Sequence, residues 1–197
     1  TTTLKIENTA DLSTGAWQNF LTFGVQLSEQ QRSATSSLGA LAFHPEGTDR
    51  KLGVYAQGEF VWNERLTLIP GLRVDFGDRT PSAATAALGG TSATDEAISP
   101  KLSAMYKIND TWGVFGTLAR TERMPTLDEL YSTDGGRLPS LNLEKEEADS
   151  IELGLTYQRE GLFADDDSLQ LKATVFHSDV TNMIATNSAV GAVPRYL

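Results

Sequence analysis

His44 and His177 are the only imidazoles in the 197-residue chain, and it contains no cysteine. Without a thiol there is no disulfide, no thiolate metal site and no cysteine nucleophile. Nucleophilic catalysis by serine needs a base beside the hydroxyl and an acid to orient that base. The two histidines stand in unlike surroundings and no such set is visible. No G-x-x-x-x-G-K-[ST] run offers a phosphate cradle. No catalytic residue is assigned, and the expectation is a protein that is not an enzyme. His44, in Phe43-His44-Pro45-Glu46-Gly47, sits in a long connecting segment. A neutral imidazole there can ligate a metal or be merely solvated. His177 shares the face of Val175, an outward interfacial position. Asp165-Asp166-Asp167 carries hard oxygens of the kind Ca²⁺ takes, but lacks the D-x-D-x-D-G loop, so an exposed turn is favoured and no metal site is assigned.

The charge balance narrows the partners. Sixteen Lys+Arg stand against 26 Asp+Glu, a net charge of -10, with no basic cluster. Nucleic acid is excluded as a partner. Mean hydropathy is -0.25, and no apolar run approaches the ~18 residues of a membrane helix. Such an average also describes a barrel whose strands are half polar. Thr1 to Lys5 has neither a basic nor an apolar leader region. The expectation is a chain whose start was removed, or a piece of something longer.

The elements that would hold these residues are strands. Apolar and polar residues alternate with period two almost throughout. Leu52, Val54, Ala56, Phe60 and Trp62 alternate with Lys51, Gln57 and Glu59. Leu66 to Phe76, Ile98 to Ile108, Ile151 to Tyr157 and Leu169 to Val175 repeat the pattern. Thr2 to Asn8, Trp17 to Leu27 and Thr111 to Thr121 carry it more weakly. The pattern predicts eight strands of about 8–12 residues, close to the ~9–11 of a tilted membrane strand. One short helix is predicted at Thr126 to Tyr131, where Thr126 and Glu129 form a T-x-x-E capping box.

The connections alternate in length. Asp11 to Ala16, Asn63 to Arg65, Asn109-Asp110 and Arg159 to Asp167 are short. Glu29 to Asp49, Gly77 to Ala97, Glu122 to Glu147 and the stretch after Ile184 are long. Outer-membrane barrels place short turns on the periplasmic side and long loops outside. Trp17, Phe60, Trp62, Tyr106, Trp112 and Tyr157 lie beside the short turns, as a head-group girdle requires. The fold class is therefore an all-β, antiparallel transmembrane barrel segment; a soluble β-sandwich is the rival. Eight strands could close alone, as a complete small barrel with a structural, adhesive or lipid-hydrolysing role. Val193 to Leu197 instead looks like the opening of a ninth strand. Glu59, Arg73, Asp75, Lys101 and Glu152 fall on the inward face, as a network that braces the wall or lines a lumen.

Several segments carry a family resemblance. Tyr55-Ala56-Gln57 with Pro70-Gly71-Leu72-Arg73-Val74-Asp75 resembles the Y-x-Q and P-G-x-R-x-D strands of TonB-dependent outer-membrane receptors. Ser99-Pro100-Lys101 is similar to their S-P-K strand opening. Arg123-Met124-Pro125 with Glu129-Leu130-Tyr131 resembles their R-x-P-x-x-x-E-L-Y segment. Asn142-Leu143-Glu144-Lys145-Glu146 with Ser150-Ile151-Glu152-Leu153-Gly154, and Phe176 to Ile184, match later strands. Together they cover residues 52–184.

The resemblance implies a 22-stranded barrel with an N-terminal plug, energised through the TonB complex, in a bacterial outer membrane. Residues 1–197 would be part of that barrel, without plug or signal peptide. Its partners would be outer-membrane lipid, TonB through the plug, and an iron chelate. There would be no intrinsic cofactor, and the transported ligand would be haem or a ferric siderophore. Arg123 to Tyr131 and Leu141 to Glu146 are similar to the FRAP and NPNL segments of haem receptors. Glu122 and Met124 replace the Phe and Ala of the first, the Pro of the second is missing, and Ser132 to Ser140 holds no histidine. The ligand-binding candidates are His44, Arg123, Met124, Tyr131 and Asn142. For Met124 and Tyr131 the favoured reading is packing of the short helix on the barrel rim, given its capped amphipathic form. Glu122 to Glu147 holds seven acids and three bases, which disfavours steering of an anionic ligand by this loop alone.

Overall fold

The computed structural model describes every residue except Thr35, Leu38, Gly39, Ala40, Ala42 and Asp165. Eight antiparallel strands form one meander, each paired to the next. They are β1 (Thr2–Asp11), β2 (Trp17–Arg32), β3 (Gly47–Trp62), β4 (Leu66–Pro81), β5 (Ala93–Lys107), β6 (Trp112–Arg123), β7 (Glu146–Glu160) and β8 (Ser168–Thr181). β1 and β8 do not pair with each other, so the sheet keeps two open edges. That is not the ladder of a closed eight-stranded barrel, in which every strand has two neighbours.

Most strands are longer than the alternation predicts. β2, β3 and β4 each run 16 residues. The extra length lies at the end of the long connections, where Glu29–Arg32, Gly47–Asp49, Gly77–Pro81 and Ala93–Ala97 are strand rather than loop. The apolar rhythm stops there and charge takes over, but the backbone ladder continues, with Glu29 opposite Arg50 and Arg50 opposite Asp78.

The register sorts the faces. Ile6, Val25, Val54, Val74 and Ile98 are successive cross-strand partners, and all lie on one face. So do Leu102, Leu118 and Ile151. These side chains are mostly exposed, and no second layer of the described residues covers them. From Leu52 to Trp62 the belt spans about 33 Å of strand, or about 23 Å across a membrane at the ~45° tilt of barrel strands. Its lower border is aromatic. Trp17 stands opposite Trp62 with ring centroids 6.2 Å apart, and Trp112 meets Tyr157 edge-on at 4.8 Å. The tight turns close this rim; in the three-residue turn between Trp62 and Leu66, Asn63 and Glu64 both adopt positive φ and Arg65 N–H donates to Trp62 O at 3.0 Å.

One irregularity opens the wall. The β5–β6 ladder runs only from Lys107–Gly113 to Lys101–Ala119. The next residue, Pro100, has no N–H to donate. Beyond it side chains replace the ladder: Ile98 N–H donates to Glu122 Oε2 at 2.7 Å and Glu122 N–H to Ser99 Oγ at 3.3 Å.

Candidate functional site: an interlocked cap above a charged inner wall

The long connections fold over the upper inner wall. Between β6 and β7 lies the predicted helix, α2 (Leu127–Tyr131). Thr126 caps it: its Oγ accepts from Glu129 N–H, and the Glu129 carboxylate accepts from Thr126 N–H, the full reciprocal box. Leu127, Leu130 and Tyr131 form a buried apolar cluster, with Ala93 and Leu143 against it. A further short helix, α1 (Ala83–Ala87), is capped by Ser82. Its Thr85 Oγ donates to Glu46 O at 2.8 Å, joining the β2–β3 and β4–β5 connections. The C-terminal stretch closes over the same region: Leu138 N–H donates to Val193 O, Tyr196 N–H to Ser140 Oγ, and Arg195 pairs with Asp134.

Arg79 on β4 locks this cap to the wall. Its side chain is completely buried. Nη1 donates to Pro125 O at 3.1 Å, and Nη2 pairs with Asp95. The Arg79 backbone carbonyl in turn accepts from the Tyr131 hydroxyl at 3.1 Å, which also lies 2.7 Å from Thr91 O. Met124 seats on Gly77: a Cβ there would come within 2.7 Å of Met124 Sδ, so a larger residue would displace the end of the Met124 side chain. Burial pushes the Tyr131 phenol up to about 12. The cap holds the neutral phenol, so its contribution is complete below the ordinary tyrosine range and disappears as pH rises through about 12. Ultraviolet titration of the wild type minus Tyr131→Phe is expected to show one phenol with a midpoint near 12. A difference curve centred on the ordinary value would remove the buried-latch assignment. Tyr131→Phe should also weaken the cap by about 1 kcal/mol.

The sequence candidates fall into distinct settings. Met124 and Tyr131 are 6% and 1% exposed, the arrangement that helix packing expects. Arg123 is an ion-pair hub, 2.9 Å from Glu129 and 2.5 Å from Glu146. Burial works to raise Glu129, but the Arg123 guanidinium and the Thr126 donors outweigh it and hold this carboxyl below the usual range. Glu146 is held low chiefly by Arg123. His44 is exposed beside the Phe43 ring, its Nδ1 3.5 Å from Arg32, which pairs with Asp128 on α2. Asn142 occupies an exposed turn. The fold thus brings Arg123, Met124 and Tyr131 into one cap, sets His44 at its edge and leaves Asn142 on its surface. His177 lies opposite Ile151 on the outward face, with Nε2 3.2 Å from Asp179. The Asp165-Asp166-Asp167 reading falls partly outside the described residues, since Asp165 is not among them. The Asp167 carboxylate is taken up by the N–H groups of Leu162 and Phe163.

On the inner wall Arg73 grips Asp75 through two bonds of 2.7 and 2.6 Å. Arg73 and Lys5 both stack on the Tyr55 ring, 5.6 and 5.3 Å from its centroid, and Tyr55 donates to Glu7 at 2.6 Å. Glu59, Lys101 and Glu152 share this face, but no ion pair among the described residues engages them. The charged network is therefore local to β1, β3 and β4. Sequence reading missed Tyr55 and Arg79. Tyr55 has the parity of Gln57 and Glu59, which was a usable signal. Arg79 has the parity of Arg73 and Asp75, but only if β4 is continued past Gly77.

The family described as TonB dependent receptor-like, beta-barrel matches residues 1–196. A TonB-dependent heme receptor A of Haemophilus influenzae (strain 86-028NP) is 25% identical over 165 residues, covering 77% of this chain and 22% of that protein. The chain thus spans about a fifth of the length of that relative. Among solved structures, a double mutant of the Serratia marcescens hemophore receptor HasR, in complex with its hemophore HasA and heme, superposes with a TM-score of 0.83 at 18% identity. It covers 99% of this chain and 36% of that one. The FrpB iron transporter of Neisseria meningitidis gives 0.71 at 16% identity, covering 97% and 29%. An exposed apolar belt with an aromatic border, an inward row of charges and a matching family profile over nearly its whole length agree: this chain belongs to the TonB-dependent receptor β-barrel family.

Proposed function

We propose that residues 1–197 form part of the barrel of an outer-membrane receptor that imports an iron complex, haem or a ferric siderophore. The plug and the TonB contact would be supplied by other parts of the full-length protein. The observation that carries this reading is the cap: four connections, tied by Arg79, Arg123, Arg195 and Glu46, gathered over the inner wall at one rim of a lipid-facing sheet. A folded cap at the outer rim is where a receptor meets its ligand before passage. Arg123, His44 and Asn142 present polar groups near its surface, and Met124 and Tyr131 would become available only when the cap lifts. The relatives named for haem and for iron support this ligand class.

Replacing residues 124–145 by a short glycine-serine linker in the full-length receptor should abolish growth on the transported iron source. The barrel should stay inserted and heat-modifiable. Growth assays on haem, defined siderophores and ferric citrate would read the effect. Unchanged uptake of every iron source would remove the ligand role from this connection.

A further inference from the structure

We propose that the upper wall is cut into two flaps, which part along a seam between β5 and β6 when the cap opens. The inference rests on the reading of the cap as a cover that lifts for the ligand. The seam begins at Pro100, where the β5–β6 ladder stops at Lys101–Ala119. Above that point each strand stays zipped to its other neighbour. β5 follows β4 as far as Arg79–Ala93, and β6 follows β7 as far as Arg123–Glu146. Among the described residues no backbone–backbone hydrogen bond joins the two sides above Lys101–Ala119. Opening an ordinary sheet strips rows of N–H and C=O groups of their partners. These flaps part with every ladder bond of their own intact.

A clasp of side chains closes the seam instead. Glu122 reaches across from β6 with a side chain only 7% exposed. Its Oε2 accepts from Ile98 N–H of β5 at 2.7 Å and from Lys145 Nζ at 2.6 Å. Lys145 Nζ also donates across the seam to Glu96 O at 3.4 Å, and Ser99 Oγ accepts from Glu122 N–H at 3.3 Å. No apolar core backs this clasp on the outward side. A groove of 1120 Å³ lies there, with Thr94 and Glu96 on one bank and Leu143 and Glu147 on the other. Arg120 and Glu122 face outward from the β6 flap. Charge on a lipid face is costly, so the seam lies at and above the border of the apolar belt, where parted strands meet water and head groups.

The cap straddles the same line. Arg79 and Thr91 stand with the β4–β5 flap, Pro125 and Tyr131 with the β6–β7 flap. Separating the flaps breaks these bonds together with those of Glu122, so cap and seam open in one motion. The lower ladder, Lys101–Lys107 against Gly113–Ala119, is the hinge, where the Ser103 and Thr117 hydroxyls lie 2.9 Å apart.

The chain holds no cysteine, so paired thiols can be introduced cleanly. In a full-length receptor without other thiols, Ser99→Cys with Thr121→Cys links the flaps, two positions above the last ladder pair. Ser103→Cys with Thr117→Cys links the same strands within the hinge. Both receptors are oxidised with copper phenanthroline in nanodiscs, and hydrogen exchange in α2 is read by mass spectrometry. The upper disulfide should slow exchange at Leu130 and Tyr131 about tenfold, reversibly with dithiothreitol, and the lower one should leave it unchanged. Glu122→Ala should speed the same exchange about tenfold, because a hydrogen bond to a charged group is lost, and the upper disulfide should cancel that gain. Exchange in α2 that ignores a complete upper disulfide overturns the seam. An upper pair that stays reduced while the lower one oxidises also overturns it, since the closed flaps would then not meet. Growth on haem and on defined ferric siderophores separates the seam from the import reading. Slowed exchange with undiminished growth of the locked receptor supports the seam and removes the lifting of the cap from import.

Discussion

Arg79→Ala is expected to release the cap from the wall while leaving the membrane strands intact. The side chain is wholly enclosed, and among the described residues it alone connects β4 to the Pro125 carbonyl and to the Asp95 carboxylate. Its removal strands a buried carbonyl. Asp49, its direct cross-strand neighbour, is 7% exposed and keeps Lys51 as its ion-pair partner at 3.4 Å. Breaking a buried ion pair by deleting one member costs about 3–5 kcal/mol. The low end applies here, because the Asp95 side chain is 39% exposed and rehydrates. A loss of about 3 kcal/mol lowers amide protection in α2 roughly a hundredfold if the cap opens as a unit. Hydrogen exchange at Leu130 and Tyr131 in the full-length receptor would measure it. Arg79→Lys should recover part of the protection, since an ammonium restores charge without the fork that reaches two acceptors. Protection equal to wild type in Arg79→Ala would mean that apolar packing of α2 alone holds the cap.

Val54→Arg is expected to block stable insertion, whereas Gln57→Arg, three residues along β3 on the opposite face, is expected to be tolerated. Val54 sits mid-belt between Val25 and Val74, in an apolar row that reaches Ile6 and Ile98. An arginine at the midplane of a barrel's lipid face costs about 2–4 kcal/mol. Gln57 shares the face of Tyr55 and Glu59, where charge already stands. Outer-membrane yield and urea unfolding in lipid vesicles would report the contrast. Equal loss in the two variants would overturn the assignment of faces on which the lipid-facing belt depends.

The sequence by itself determined the strands, their faces and the helix cap. Period-two alternation decides parity once one face is apolar, because a slip by one residue would send every Leu and Val to the wrong side. The T-x-x-E box is likewise local: four residues contain all the donors and acceptors it uses. The strand tops were illegible because alternation vanishes where both faces meet polar surroundings, yet pairing there persists through Glu29–Arg50 and Arg79–Asp95. Only the tertiary structure decided that Arg79 is a buried latch, that the Tyr131 hydroxyl bonds the Arg79 and Thr91 carbonyls, and that Pro100 opens the wall. Each depends on contacts between residues far apart in the chain, and burial is a property of those neighbours that no local spacing encodes. Tyr131 meets Arg79 across 52 positions, and Arg195 meets Asp134 across 61.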